Sequence, residues 1–454
     1  MNRLLILIIF SVIALSASSL LKEAKEAHWA VLVAGSNGYW NYRHQSDMCH
    51  AYQLLIKNGM PASRIITLAF DDIANAYENP FPGQIFNKPD PTGKGVDVYA
   101  NCKLDYTGDE VTPKNFLNVL KGDAAANLGK GTGRVLGSNA NDKVFVYFTD
   151  HGATGLIAFP NDYLYADKLI ETLKYMHENA KYKRLVFYLE ACESGSMFEG
   201  LLPLDWEIYA TTAANTSESS YASYCQPDDV INGKSIGTCL GDEYSVIWME
   251  DTEAAEEGKF LQKQFEDVLS KTKGSHVQQY GIINWAKEEA LKNYQGDVAK
   301  FSSIDKLFNK IQKCANKFLS YFNSSKKTEI ENYKLYLEKA KSSKIDSRDA
   351  KLHYLAQKHK ALRSNQSESD LNKEIIFRRE VDNFFSHFDI KFEIKTLSMK
   401  NVTDFSCLRH SINQFKSLCK PLFDEYTLKY IRHLYTACEQ SSADEIEFYL
   451  KSTC

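Results

Sequence analysis

Apolar positions follow two alternating rhythms through the first two-thirds of the chain. Short apolar runs at 29–34, 64–70, 143–149, 184–191 and 206–212 read as buried strands. Between them lie stretches with apolar residues at helical spacing. Ser46 opens one, with Met48, Ala51, Tyr52, Leu55 and Ile56 on a single face, and Asn58-Gly59 closes it. Thr112-Pro113 opens another, with proline at the first helical position, and Lys121-Gly122 ends it. A further helix is predicted over 166–179. Repeated strand–helix alternation predicts a mostly parallel, three-layer α/β sandwich. Polar loops at 71–111 and 214–242 interrupt it, and loops that long usually build binding surfaces.

After about Gly296 the rhythm changes to Lys, Leu, Phe and Tyr at helical spacing, with no proline until Pro421. We therefore expect an α/β domain over 20–296, a connector over 297–330 and a helical domain over 331–454. At the start, Arg3 precedes an apolar run from Leu4 to Leu15, and Ala17-Ser18-Ser19 offers a small-residue cleavage site. Residues 1–19 thus read as a signal peptide. That run is shorter than the ~20 residues that span a bilayer, so no membrane span is expected. The destination is the secretory pathway, with the lysosome, vacuole or extracellular space as its end.

Composition sharpens this picture. The 454 residues are 44% hydrophobic, enough to bury a sizeable core. The net charge of −4 conceals an asymmetry: residues 1–280 carry 24 Lys and Arg against 35 Asp and Glu (−11), and residues 281–454 carry 30 against 23 (+7). The basic charges are interspersed rather than clustered, which argues against a nucleic-acid partner. They suit attraction between the two parts of the chain. Cys407, Cys419, Cys438 and Cys454 cluster near the C-terminus, and Cys225 and Cys239 flank a polar loop, as disulfides in an oxidising lumen would. Cys49, on an apolar helix face, reads as core; Cys102 and Cys314 have no assigned partner. No C-x-x-C or H-E-x-x-H occurs, so neither a metal nor a cofactor is expected. Glycan acceptor triplets begin at Asn215, Asn323, Asn365 and Asn401.

Two segments carry the chemistry. Phe148-Thr149-Asp150-His151-Gly152 and Glu190-Ala191-Cys192-Glu193-Ser194-Gly195 each follow a strand-like run. A His and a Cys at the carboxyl ends of parallel strands sit where open α/β sheets place reactive groups. A thiol with a pKa near ~8.5 is mostly protonated at neutral pH, so a nearby imidazole is needed to hold it as the thiolate. Gly152 lets its N–H approach a carbonyl closely and form an oxyanion hole with the Cys192 N–H. A random Cys and His are more often structural. Two strand-end placements with adjacent glycines reverse that reading.

These segments resemble the two signatures of the legumains, the asparaginyl endopeptidases of the caspase-like clan of cysteine peptidases. The resemblance extends to His28-Trp29, Gly35-Ser36-Asn37-Gly38, Asn41-Tyr42-Arg43-His44-Gln45, Asp105-Tyr106-Thr107-Gly108, Tyr209-Ala210-Thr211-Thr212-Ala213-Ala214, Glu218-Ser219-Ser220-Tyr221 and Leu240-Gly241-Asp242. It implies a caspase-like α/β/α sandwich followed by an all-α prodomain. It further implies a nucleophile at Cys192, a base at His151 and an orienting amide at Asn41. Arg43, Glu190 and Asp242 match the specificity pocket, with His44 and Ser219 beside them, and Asp150 matches a position associated with a succinimide and ligation. By family spacing the bridges are Cys407–Cys438 and Cys419–Cys454, and Cys225–Cys239 resembles the plant branch.

A guanidinium that donates to an amide oxygen, with carboxylates that accept from its NH2, suits an asparagine side chain. The resemblance implies a cysteine endopeptidase that hydrolyses peptides after Asn, and after Asp at low pH, made as an acid-activated zymogen. Its partners would be peptide substrates, its own prodomain as inhibitor, and cystatin-type inhibitors. Protonation of interfacial carboxylates below about pH 5 would remove the attraction between the two parts. Asn309, Asn316 and Asn323 are candidate activation sites, in a connector without the proline-rich character of some relatives. Lys121-Gly122-Asp123 stands where some relatives carry an integrin-type tripeptide and reads as a helix end. Two alternatives remain: a peptide ligase using the same acyl-enzyme, and a secreted binding protein without catalysis.

Overall fold

A computed structural model describes residues 26–89, 95–296 and 344–454. The signal-peptide segment, the 297–330 connector, the three candidate activation asparagines and Cys314 lie outside the described residues. A six-stranded sheet forms the centre. Its strands are β1 (His28–Ala34), β2 (Ile65–Leu68), β3 (Lys143–Thr149), β4 (Arg184–Glu190), β5 (Ile208–Thr212) and β7 (Gln278–Gly281), in the order β7-β5-β4-β3-β1-β2. All neighbours are parallel except β7, which closes one edge antiparallel to β5.

Each central strand is buried on both faces, which explains its unbroken apolar run. Val31 and Val33 join Val144, Val146 and Phe148 on one face, against α2 (Pro113–Lys121) and α3 (Ala166–Glu178). Ala30 and Leu32 join Phe145 and Tyr147 on the other, against α1 (Tyr42–Lys57), α4 (Glu243–Glu253) and α5 (Leu261–Lys271). The result is a three-layer α/β/α sandwich. Thr112 caps α2 by accepting from the Asn115 N–H, and Gly122 ends it at φ 70°, a left-handed turn that costs glycine little.

Helix α1 begins four residues before the Ser46 expected from hydrophobic spacing. Its first turns, Tyr42 to Asp47, are buried although mostly polar, because they back a pocket rather than the core. This is a failure of periodicity at a functional site. Cys49, expected as a lone core thiol, is buried and bonded to Cys102, which ties α1 to the 71–111 loop.

The C-terminal part is helical: α6 (Ala350–Leu362), α7 (Asn365–Lys391), α8 (Phe405–Leu418), α9 (Ile431–Cys438) and α10 (Ala443–Thr453). Disulfides Cys407–Cys438 and Cys419–Cys454 cross-link it, and Cys225–Cys239 closes the polar loop. It opens with a feature that helical periodicity did not anticipate. Residues Ile345–Asp346 form a short strand, β8, antiparallel to β6 (Tyr221–Ser223). Among the described residues no helix is long and apolar enough to cross a membrane.

Candidate active site

The register of β3 and β4 pairs Thr149 with Glu190, so His151 and Cys192 each lie two residues beyond the same rung of adjacent strands. Gly152 packs directly on the Cys192 peptide; a Cβ there would collide with the Cys192 carbonyl oxygen. The next residue, Glu193, is held at φ 53°, a left-handed conformation that costs a non-glycine residue about 1 kcal/mol or more. Thr154 donates to its carboxylate at 2.9 Å and its N–H donates to Glu218 O at 2.7 Å. The turn after the sulfur is therefore fixed from both sides.

Asn41 ends the 3-10 turn Tyr39–Asn41 that leads into α1. Its Oδ1 accepts from His151 Nε2 at 2.9 Å and from Arg43 Nη1 at 3.2 Å, while its Nδ2 donates to Asn37 O and to Glu425. That full set of partners fixes the amide orientation. Because Oδ1 can only accept, Nε2 of His151 carries the proton and Nδ1 is left as the basic nitrogen. Cys192 Sγ accepts from the Ser220 N–H at 3.3 Å and lies 3.7 Å from the Ser220 hydroxyl. Burial pushes the Cys192 thiol up, against the pull of Arg348. Burial, then Arg43, Arg348 and Lys351, holds His151 well below its ordinary value. In this state both groups rest neutral.

A pocket adjoins them. Arg43, fully buried in the first turn of α1, donates through Nε to Asp242 Oδ1 at 2.8 Å. Glu190 Oε2 accepts from the Ser245 N–H and hydroxyl, each at 2.9 Å. Three buried atoms of this pocket have no hydrogen-bond partner: Arg43 Nη2, Glu190 Oε1 and Asp242 Oδ2. Leaving a buried charged group unmatched costs free energy, so one donor and two acceptors stand ready for a ligand. His44 bonds Ser36 through Nδ1 at 2.6 Å, faces Asp242 at 3.4 Å, and sets its ring edge-on to His151. Asp150 Oδ1 also lacks a hydrogen bond, and burial raises its carboxyl well above the ordinary range. Ser219, one residue before Ser220, is half-buried.

His44, Asp150 and His151 bring ligand atoms within 4.8 Å of one another, the spacing of a metal site. The Arg43 charge, which after burial holds both imidazoles low, stands beside them, and a dication would meet the same repulsion.

The C-terminal part covers the cleft. Strand β8 extends the sheet made by β6, and the Ser347 N–H donates to Ser220 O at 3.1 Å. Ser347 Oγ lies 3.3 Å from Ser220 Oγ, so the covering backbone passes next to the sulfur. Arg348 then donates to Gly152 O at 3.3 Å and faces Glu193 at 3.5 Å. Addition of a strand to a free edge is a common mode of peptide recognition. Glu425 approaches from the other side, accepting from Trp40 Nε1 at 2.9 Å and lying 3.5 Å from His151 Nε2. Ion pairs Arg409–Asp167, Lys344–Glu243 and Lys358–Glu78 join base to acid in the direction the charge asymmetry anticipated.

Ser220, Ser347, Arg348 and Glu425 were not singled out in the sequence. Ser220 lies within the Glu218-Ser219-Ser220-Tyr221 segment, where sequence alone assigns it no role of its own. The other three are brought in by tertiary packing alone.

The Peptidase C13 family signature matches residues 28–297, more than half of the chain. The chain belongs to the Peptidase C13 family. The legumain prodomain signature matches residues 380–454, and the alignment to mouse legumain spans about half of that protein's length. Mouse legumain is 54% identical over 255 residues, an alignment spanning 56% of each chain. A vacuolar-processing enzyme from Vicia sativa is 41% identical over 439 residues, covering 92% of this chain and 83% of that one. A hemoglobinase from Schistosoma japonicum is 40% identical over 441 residues, covering 94% and 92%. A caspase-1 structure from Spodoptera frugiperda covers 60% of this chain and 91% of its own, at 10% identity and a TM-score of 0.33. The C13 signature spans Asn41, Arg43, His151, Glu190, Cys192 and Asp242, and the prodomain signature spans Glu425.

Proposed function

We propose that this C13 peptidase hydrolyses peptide bonds on the carboxyl side of asparagine, with Cys192 as nucleophile, His151 Nδ1 as base and Asn41 as the group that orients the imidazole. The carrying observation is the set of unmatched buried atoms in the pocket. Arg43 Nη2 would donate to the carboxamide oxygen, and Glu190 Oε1 and Asp242 Oδ2 would accept from its NH2. Glutamine, leucine or lysine would leave those groups unpaired, a loss that typically amounts to several kcal/mol. Cys192 then attacks the carbonyl carbon, the oxyanion is met by the Gly152 and Cys192 N–H groups, and His151 returns its proton to the leaving amine. Water completes hydrolysis of the thioester.

The segment 344–349 supports a second element of the reading, autoinhibition by the chain's own C-terminal part. It lies in the cleft as an added strand, yet Ser347 rather than a side chain with a carboxamide stands nearest the pocket. Release on acidification, and residence in a lysosome or vacuole, the latter the compartment in the vacuolar-processing enzyme's name, complete the proposal. An amine in place of water at the thioester would make the same site a ligase. The test is hydrolysis of four matched reporter peptides, with Asn, Asp, Gln or Lys before the scissile bond, before and after acid exposure of the full chain. Selective cleavage after Asn, appearing only after acid exposure, is expected. Equal rates on Asn and Gln would overturn the pocket assignment.

A further inference from the structure

We propose that Asp47, a residue buried behind the pocket, sets the pH at which the pocket changes from reading asparagine to reading aspartate, by fixing when Glu190 Oε1 takes up a proton. The inference rests on the pocket reading given above. Asp47 is 0% exposed and one turn along α1 from Arg43. Its Oδ2 accepts from the Asp242 N–H at 3.0 Å, and its Oδ1 accepts from Asn87 Nδ2 at 2.5 Å. Gly241 presses against it: a Cβ there would lie 2.9 Å from Asp47 Oδ1.

Three buried carboxylates, Asp47, Glu190 and Asp242, therefore lie within electrostatic reach of one another, and the Arg43 guanidinium pairs with Asp242. Like charges so confined do not all ionise at acidic pH. The hydrogen bonds decide which takes the proton. Both oxygens of Asp47 accept bonds that favour its anion, and Asp242 is held by Arg43. Glu190 alone of the three combines a free Oε1 with no cationic partner of its own. The remaining groups around Glu190 are its neighbour Glu243 and Tyr244 on α4, Tyr147 on β3 through Ser245, and from the covering segment Ser347, which faces Asp242. His44 faces Asp242, and burial keeps it neutral. Burial raises both carboxyls, with Asp242 adding to each, and Glu190 and Asp47 are close enough to repel one another.

Ionised, Glu190 Oε1 accepts from a carboxamide NH2. Protonated, it donates, and the pocket then offers Arg43 and Glu190 O–H to the two oxygens of an aspartate. Asp47, never in contact with substrate, moves that exchange to higher pH and so acts as a positioning residue.

The experiment uses the acid-exposed full chain and its Asp47→Asn variant, with matched Asn and Asp reporters, from pH 4 to 7. The readout is the ratio of kcat/KM for Asp to that for Asn, which cancels effects common to both substrates. The variant is expected to shift the rise of this ratio down by about one pH unit, about tenfold at a pH on the limb. The doubly substituted Asp47→Asn/Asn87→Asp chain, which returns a carboxylate to the cluster, is expected to move it back, and Asp47→Ser, neutral like Asp47→Asn, carries the test if Asp47→Asn does not fold. Superimposable ratio curves for wild type and a folded Asp47→Asn or Asp47→Ser chain would overturn the proposal. Wild type that cleaves neither reporter would instead sink the pocket reading itself.

Discussion

At the scale of single residues, the site is an arrangement of unequal environments. Asn41 fixes the tautomer of His151, so Asn41→Ala should leave Cys192 in place but lose that control. We expect kcat to fall by about 10²-fold with KM little changed, as for removal of an orienting hydrogen bond in other nucleophile–base pairs. Steady-state kinetics on an Asn reporter checks this. Arg43→Lys keeps the charge but not the fork that reaches Asp242, Asn41 and the pocket at once. Its loss should appear as a fall in kcat/KM for Asn of about 10²-fold or more, with discrimination against Gln reduced.

At the scale of elements, what was legible and what was not divide by physical cause. The core strands were legible because burial on both faces leaves unbroken apolar runs, and α2 because Thr112-Pro113 and Lys121-Gly122 mark its two ends chemically. His151 and Cys192 were legible because strand ends with adjacent glycines are local features. The start of α1 was not, since its first turns answer to Asp242 and Asn87, residues distant in sequence. Nor was β8, because a two-residue strand leaves no periodic trace and exists only by pairing with β6. The Cys49–Cys102 bridge was hidden in the same way. It spans a sequence separation of 53 and anchors the loop that carries Asn87. Cys102→Ser should therefore destabilise the chain, by up to about 4 kcal/mol on the loop-entropy account. A lower denaturation midpoint, reproduced by mild reduction of the wild type, is the expected observation.

At the scale of the whole molecule, the charge asymmetry is realised as ion pairs across the covered cleft, but its pH dependence has mixed signs. Glu425 is raised to about 7, by burial and then by Asp424. A carboxyl raised on docking contributes more as pH falls, so Glu425 opposes acid release. This differs from the expectation that interfacial carboxylates drive release. His151 has the opposite sign. Held low by burial and by Arg348 and Lys351 of the covering part, it contributes to docking at neutral pH, and the contribution is lost as pH falls through its ordinary value near ~6.5. Glu425→Gln removes an opposing contribution, so uncovering of Cys192 between pH 7 and 5 should become steeper. Pulse alkylation of Cys192 read by peptide mapping checks this. A flattened profile would make Glu425 the trigger instead.

The claim on which the account turns is that the Cys192 sulfur attacks a carbonyl presented by an asparagine held in the Arg43, Glu190 and Asp242 pocket. The direct measurement treats the acid-exposed chain with two peptide probes, identical except for Asn or Gln before an electrophilic carbon placed at the scissile position, and locates the adduct by mass spectrometry. Adduct on Cys192 from the Asn probe, little from the Gln probe, and its loss in Arg43→Ala are expected. Adduct on another residue, or equal labelling of Cys192 by both probes, would contradict the claim.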